Sequence, residues 1–152
     1  ISSDSRQKAY EEAVKYANAK GSIVIAAAGN SNQNAKDYSP ANAKGIISVS
    51  ALGPDQRKAP FSNTVKDLSY GIAAPGMKIL STYPKGQYKE MDGTSMATPM
   101  VAGLVGMLKA FRPDITTQEV YNILYETGKA LPDGKSTGRM IQAADALERV
   151  TD

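Results

Sequence analysis

An apolar run, Met100-Val101-Ala102-Gly103-Leu104-Val105-Gly106-Met107-Leu108, is entered through a turn of small residues, Gly93-Thr94-Ser95-Met96-Ala97-Thr98-Pro99. Together the two read as a buried helix whose first turn presents a hydroxyl. Ser95 would then sit among N–H groups that have no intrahelical partner, in the positive field of the helix N-terminus. A nucleophile at that place gains stabilisation when an oxyanion forms beside it. The chain contains no histidine, so the usual base for activating a serine is absent from this polypeptide.

The length of 152 residues suits one ordinary domain. Hydrophobic residues make up 41% and charged residues 22%, a balance that supports a core and not a disordered chain. The net charge of +3 is mildly basic. No basic stripe interleaved with aromatics accompanies it, which argues against nucleic acid as a partner. With no Cys there is no disulfide frame and no thiolate, and without Cys or His a zinc site has nothing to build on. No apolar run approaches the roughly 18 residues of a membrane helix. Ile1 stands where an initiator Met would, with no signal peptide ahead of it, so the chain reads as one piece of a larger protein.

Along the chain, polar Ser2-Ser3-Asp4-Ser5 suits a cap for a helix from Arg6 to Lys20. Its apolar residues Ala9, Tyr10, Ala13, Val14 and Ala17 fall on one face, and Gly21 marks its stop. Ser22 to Ala28 is a short apolar run of the kind buried on both faces in a parallel sheet. Asn30 to Asn34 reads as a surface loop, and Gly45 to Ala51 as a second strand. Ile72 to Gly76 and Lys78 to Thr82 read as extended pieces around a Pro-Gly turn, with a polar hairpin-like stretch over Tyr83 to Asp92. Helices follow at about Ser95 to Ala110, Thr116 to Glu126 and Met140 to Val150, with Thr116 or Thr117 capping the second. Strands alternating with helices predict an α/β layered fold with a mainly parallel sheet, and no linker divides it.

Taken alone, Ser95 is a helix-capping serine and Asn30 a turn residue tolerant of left-handed backbone. Their neighbourhoods favour chemistry. Gly93 frees the backbone, and Ala97, Gly103 and Gly106 keep the helix thin where it would cross a sheet or approach a substrate. Pro99 is expected in the first turn, whose N–H groups lack partners anyway. Asn30 ends a strand expected at the centre of the sheet, the place where α/β folds collect ligands, and its amide suits an oxyanion donor. The α/β-hydrolase elbow does not fit, because Ala97 stands where its last glycine would be.

Val24-Ile25-Ala26-Ala27-Ala28-Gly29-Asn30, Ala73-Ala74-Pro75-Gly76 and Gly93-Thr94-Ser95-Met96-Ala97-Thr98-Pro99 with Val101-Ala102-Gly103 resemble the subtilisin-like serine proteases, the subtilases. The last stretch is the most specific, and Gly138 to Ala144 resembles the family's ending. The resemblance covers nearly the whole chain and implies the C-terminal portion, residues 1–152, of a single catalytic domain. It implies a three-layer fold and a serine endopeptidase acting through an acyl-enzyme. Ser95 would be the nucleophile, with the Asn30 amide and the Ser95 N–H as oxyanion donors. Ala27, Ala28 and Gly29 would line one wall of the substrate pocket, with Ser2 and Ser3 at the opposite wall and Tyr38 near its floor. Gly93 and Thr94 would flank the bound substrate, a protein or peptide. Ser39-Pro40 matches a place where the family often has a cis peptide.

The resemblance also implies what this chain lacks. The catalytic Asp and His would come from an N-terminal segment of the same protease, so the chain alone is expected to be catalytically incomplete. Asp37, Asp55, Asp67 and Asp92 read as loop residues, and Lys15, Lys20, Lys36 and Lys44 as solvated surface. Met100 stands where the family usually has a His that is not the catalytic one, and reads as filling a core gap. Hairpin packing accounts for Tyr83 and Tyr88. The family's loops often hold calcium, but no D-x-D-x-D-G spacing occurs here and no metal is assigned. Secretion is implied by the family. Two other readings stand beside the enzyme: a pseudoprotease acting as a regulatory binding scaffold, and a fragment that self-associates through an exposed sheet edge.

Overall fold

The structure is a computed structural model that describes residues 8–151. The expectations for Ser2 and Ser3, and for the first residues of the opening helix, lie outside that range.

Helix α1 spans Lys8–Ala19 and buries Val14. It stops at Gly21, where φ is +82° and a side chain would be strained. There the Ser22 N–H donates to Ala17 O and the Gly21 N–H to Asn18 O, the paired bonds of a Schellman end. Strands β1 (Ile25–Ala27), β2 (Ile47–Leu52) and β3 (Gly71–Pro75) form a parallel sheet in the order β1-β2-β3. Strands β4 (Ile79–Tyr83) and β5 (Gln87–Met91) make a separate antiparallel hairpin. Helices α2 (Thr94–Phe111), α3 (Thr117–Thr127), the short α4 (Gly134–Thr137) and α5 (Ala143–Thr151) follow.

The sheet is the middle of three layers. On one side Ile47, Val49 and Ala51 of β2, with Ile72 and Ala74 of β3, pack against Ala97, Val101, Leu104, Val105 and Leu108 of α2. On the other side Ala26 packs with Val14 of α1, Ala43 and Ile46. The strand period of two places Ser48 and Ser50 of β2 on the face away from α2. Both are buried and both donate, to Ala41 O at 2.6 Å and Thr137 O at 2.8 Å, so neither hydroxyl is stranded. Central β2 is buried along its whole length, whereas Ile25 and Ala27 of β1 are half-exposed. Among the described residues β1 pairs on one side only, with β2.

Several expectations shift by a turn or a face. The first strand is shorter than Ser22–Ala28, because regular pairing with β2 runs only from Ile25 to Ala27. The last helix begins at Ala143 and not at Met140, whose backbone is committed to Lys129 in a two-way bridge. Pro99 lies in the second turn of α2 and not in the first, so the bond it cannot make is to Ser95 O. Gly103 and Gly106 do not face the sheet: a Cβ at either would meet nothing within 4 Å. Met100 is 37% exposed on that same outer side and fills no core gap. Tyr83 pairs with Gln87 and Tyr88 with Thr82, which puts the two rings on opposite faces of the hairpin. Thr116 is the cap of α3, in a capping box with Glu119. The Ser39–Pro40 peptide is cis.

Candidate active site

Two elements meet at the C-terminal end of the sheet: the loop that leaves β1 and the N-terminus of α2. Gly93 is the N-cap of α2, and its carbonyl accepts from Met96 N at 3.0 Å and Ala97 N at 3.3 Å. Thr94 and Ser95 lie ahead of that ladder, so their N–H groups have no intrahelical acceptor. Thr94 donates its N–H to Asn30 Oδ1 at 2.9 Å, and its hydroxyl to the same oxygen at 2.7 Å. A backbone N–H can only donate, which fixes Oδ1 as the atom facing Thr94 and turns Asn30 Nδ2 outward. A Cβ at Gly93 would stand 3.6 Å from Asn30 Nδ2 and 3.6 Å from Ser95 N. The glycine thus keeps both donors uncovered. Ser95 itself is exposed.

Three other backbone features set this corner. The Gly93 N–H donates to Gly76 O at 2.8 Å, and the Gly76 N–H to Leu52 O at 2.9 Å, tying the turn to the ends of β2 and β3. Gly76 has no room for a side chain, because a Cβ would lie 2.5 Å from that of Ala51 and 2.8 Å from Gly93 O. Gly29 takes φ +104° and donates to Thr94 Oγ1 at 3.2 Å. Left-handed backbone falls on Gly29 and Asn32, not on Asn30.

The remaining candidates are more dispersed. Ala27 and Gly29 are half-buried beside Asn30, while Ala28 is buried in a small cluster with Ala35, Ala41 and Val65. Tyr38 is half-buried and ends a 3-10 turn, Ala35–Asp37, within the loop after Asn34. Asn63 escapes sequence reading altogether. It lies in a polar loop stretch, yet it is fully buried and hydrogen-bonded to both flanks of Asn30.

Acidic groups do not converge. Among the described residues no cluster of three or more Asp, Glu, His or Cys could hold a metal. Asp55 caps Arg57 N, Asp67 accepts from Asn34, and Asp92 accepts from Lys78 N, each in a different loop. The acidic side chains described therefore do not assemble a calcium cage. Lys58 is held below its usual range by burial, with Asp133 opposing. Its ammonium donates to Asn32 Oδ1, Ala59 O and Ser62 O, which makes it a loop staple. No helix among the described residues is long and apolar enough to cross a membrane.

The model of the subtilase family matches residues 2–141 of the chain. Subtilisin DY of Bacillus licheniformis is 37% identical over 135 residues, which cover 86% of this chain and 48% of that protein. Thermitase of Thermoactinomyces vulgaris is 45% identical over 102 residues, covering 64% of this chain and 34% of that protein. A solved protease structure from Pseudoalteromonas arctica superposes with a TM-score of 0.91 at 30% identity, covering 99% of this chain and 49% of the other. The chain thus spans about half or less of the relatives it matches. With the family match over residues 2–141 and the likeness in fold, the chain belongs to the subtilase family.

Proposed function

We propose that this chain is the C-terminal portion of a single subtilisin-like catalytic domain that cleaves peptide bonds through an acyl-enzyme. The observation that carries the reading is the pairing of Thr94 with Asn30, which aims an amide N–H₂ outward beside the Ser95 N–H. In this reading Ser95 Oγ attacks the scissile carbonyl, and the carbonyl oxygen takes up the developing charge. Asn30 Nδ2 and Ser95 N–H donate to it, aided by the positive end of α2. Removing one such donor lowers kcat about 10²- to 10³-fold, a magnitude established in a member of this same family. The family resemblance makes Ala27, Ala28 and Gly29 one wall of the pocket for the residue before the cleaved bond and Tyr38 its floor, while Ser2 and Ser3, expected at the other wall, lie outside the described residues.

The proton taken from Ser95 needs a base, and the chain has no histidine. An N-terminal segment of the same protease supplies the Asp and His. Two surfaces support that partner. The outer side of α2 is apolar and exposed, with Met107 at 44% and Phe111 at 58%, and open space at Gly103 and Gly106. A helix apolar all round is a buried helix, so a further layer belongs there. Among the described residues β1 has one unpaired edge, which invites another strand. Calcium, which the family resemblance allows, enters no step here. The family resemblance also supports an extracytoplasmic location.

A fluorophosphonate probe with intact-mass measurement under denaturing conditions tests the reading. Label on Ser95 together with a second polypeptide supports an assembled protease. Two polypeptides without label would favour a pseudoprotease scaffold. A robust Ser95-dependent rate from the isolated 152-residue chain would overturn the claim that its base comes from elsewhere.

A further inference from the structure

We propose that Asn63 is the positioning residue that holds the Asn30 amide in place, an inference that rests on Asn30 being an oxyanion donor. Asn30, Ser31, Asn32 and Gln33 are all exposed, and an exposed loop is by default mobile. A donor on such a loop serves catalysis only if something rigid holds it, because a misplacement of about 1 Å costs on the order of 10²-fold. Thr94 fixes the Asn30 side chain, but the backbone that carries it needs its own anchor.

Asn63 supplies that anchor from the interior. It is 0% exposed. Its Nδ2 donates to Ala28 O at 2.9 Å, and its Oδ1 accepts from Ser31 N at 3.0 Å and Gln33 N at 2.9 Å. Its own N–H donates to Gly29 O at 2.8 Å. One residue thus grips the backbone on both sides of Asn30. The task needs a donor and a double acceptor on one short side chain, which only an amide of this length provides. Asn63 also stands directly behind Gly29, where a Cβ would come within 2.5 Å of Nδ2. The tip of the loop is stapled separately by Lys58 to Asn32, so Asn63 is dedicated to the segment next to the donor.

A double-mutant cycle separates positioning from simple structural support. Asn63→Ala, Asn30→Ala and the double variant are made in the chain together with the segment that supplies Asp and His. For each, kcat, KM and melting temperature are measured on one peptide substrate. The expected result is a kcat loss of about tenfold or more for Asn63→Ala, with KM within about twofold. In the Asn30→Ala background the same substitution lowers kcat by less than about twofold, because the group it positions is gone. An equal loss in both backgrounds, or a loss confined to melting temperature, would overturn the proposal while leaving Asn30 as the donor. Full kcat in Asn30→Ala alone would overturn the oxyanion reading itself. Where Asn63→Ala does not fold, Asn63→Ser, which keeps a small neutral polar side chain in the buried site, is read in the same cycle.

Discussion

Thr94 holds Asn30 by two hydrogen bonds to one oxygen, 2.9 Å from its N–H and 2.7 Å from its hydroxyl, although the residues are 64 apart in sequence. The hydroxyl also accepts from Gly29 N at 3.2 Å, so a relay runs from Gly29 through Thr94 to Asn30. Each bond in such a chain polarises the next. Thr94→Val keeps the shape and deletes the relay. It leaves the Gly29 N–H without its acceptor, a loss of about 1–3 kcal/mol in stability. In the complete enzyme kcat is expected to fall on the order of tenfold, while Thr94→Ser recovers most of it. Steady-state kinetics on both variants check this.

Gly29→Ala is expected to be severe for its size. The backbone sits at φ +104°, and the new methyl would approach Asn63 Nδ2 at 2.5 Å. Strain of this kind costs about 1–3 kcal/mol. Denaturant unfolding should show the loss as a lowered midpoint, and an unchanged midpoint would mean that the loop relaxes freely.

The capping box of α3 makes stability depend on pH in a defined direction. Hydrogen bonds from the Thr116 N–H and hydroxyl hold the Glu119 carboxyl below its usual range, helped by Arg112. A depressed carboxylate stabilises the fold fully above the unfolded-state pKa, and that contribution is lost as pH falls through the folded-state value. The melting-temperature gap between the wild type and Glu119→Ala is therefore expected to be largest near neutrality. It should close as the solution is acidified below the ordinary Glu range of about 4.3.

Tyr121 predicts the opposite limb. It packs 4.9 Å from the ring of Tyr70 and donates to Gly71 O at 3.2 Å. Burial, with Tyr125 and Tyr70 nearby, raises its pKa above the usual tyrosine range. A raised phenol stabilises the fold below the unfolded-state pKa and loses that contribution as pH rises through the folded value. In an ultraviolet titration Tyr121→Phe should remove a tyrosine that ionises above the usual range.

Gly106 separates the isolated chain from the assembled enzyme. A Cβ there meets nothing within 4 Å, so Gly106→Leu should raise helix stability by about 0.5–1 kcal/mol in the chain alone. On the proposed docking face the same side chain obstructs the partner segment. Affinity for that segment should fall at least about tenfold. Unchanged affinity would place the segment elsewhere.

What the sequence determined by itself is what a few neighbouring residues can decide. The Gly21 stop, the Thr116 cap with Glu119, the apolar strand ending at Asn30 and the small-residue turn at Ser95 are local signals, and each appears in the structure within a few residues of its expected place. The tertiary structure decided what depends on distant partners. It determined which face of α2 meets the sheet, so that Val101, Leu104 and Leu108 are covered while Gly103, Gly106 and Met100 are not. It also gave the Thr94 N–H, at the first position of α2, a distant acceptor in Asn30. Asn63 shows the limit most plainly. Nothing in Phe61-Ser62-Asn63-Thr64 marks a buried residue. Its burial comes from the chain folding back beneath Gly29, and the hydrogen bonds that result join residues 30 to 35 positions apart. No local pattern encodes such a bond, because its partners become neighbours only when the parallel strands have packed.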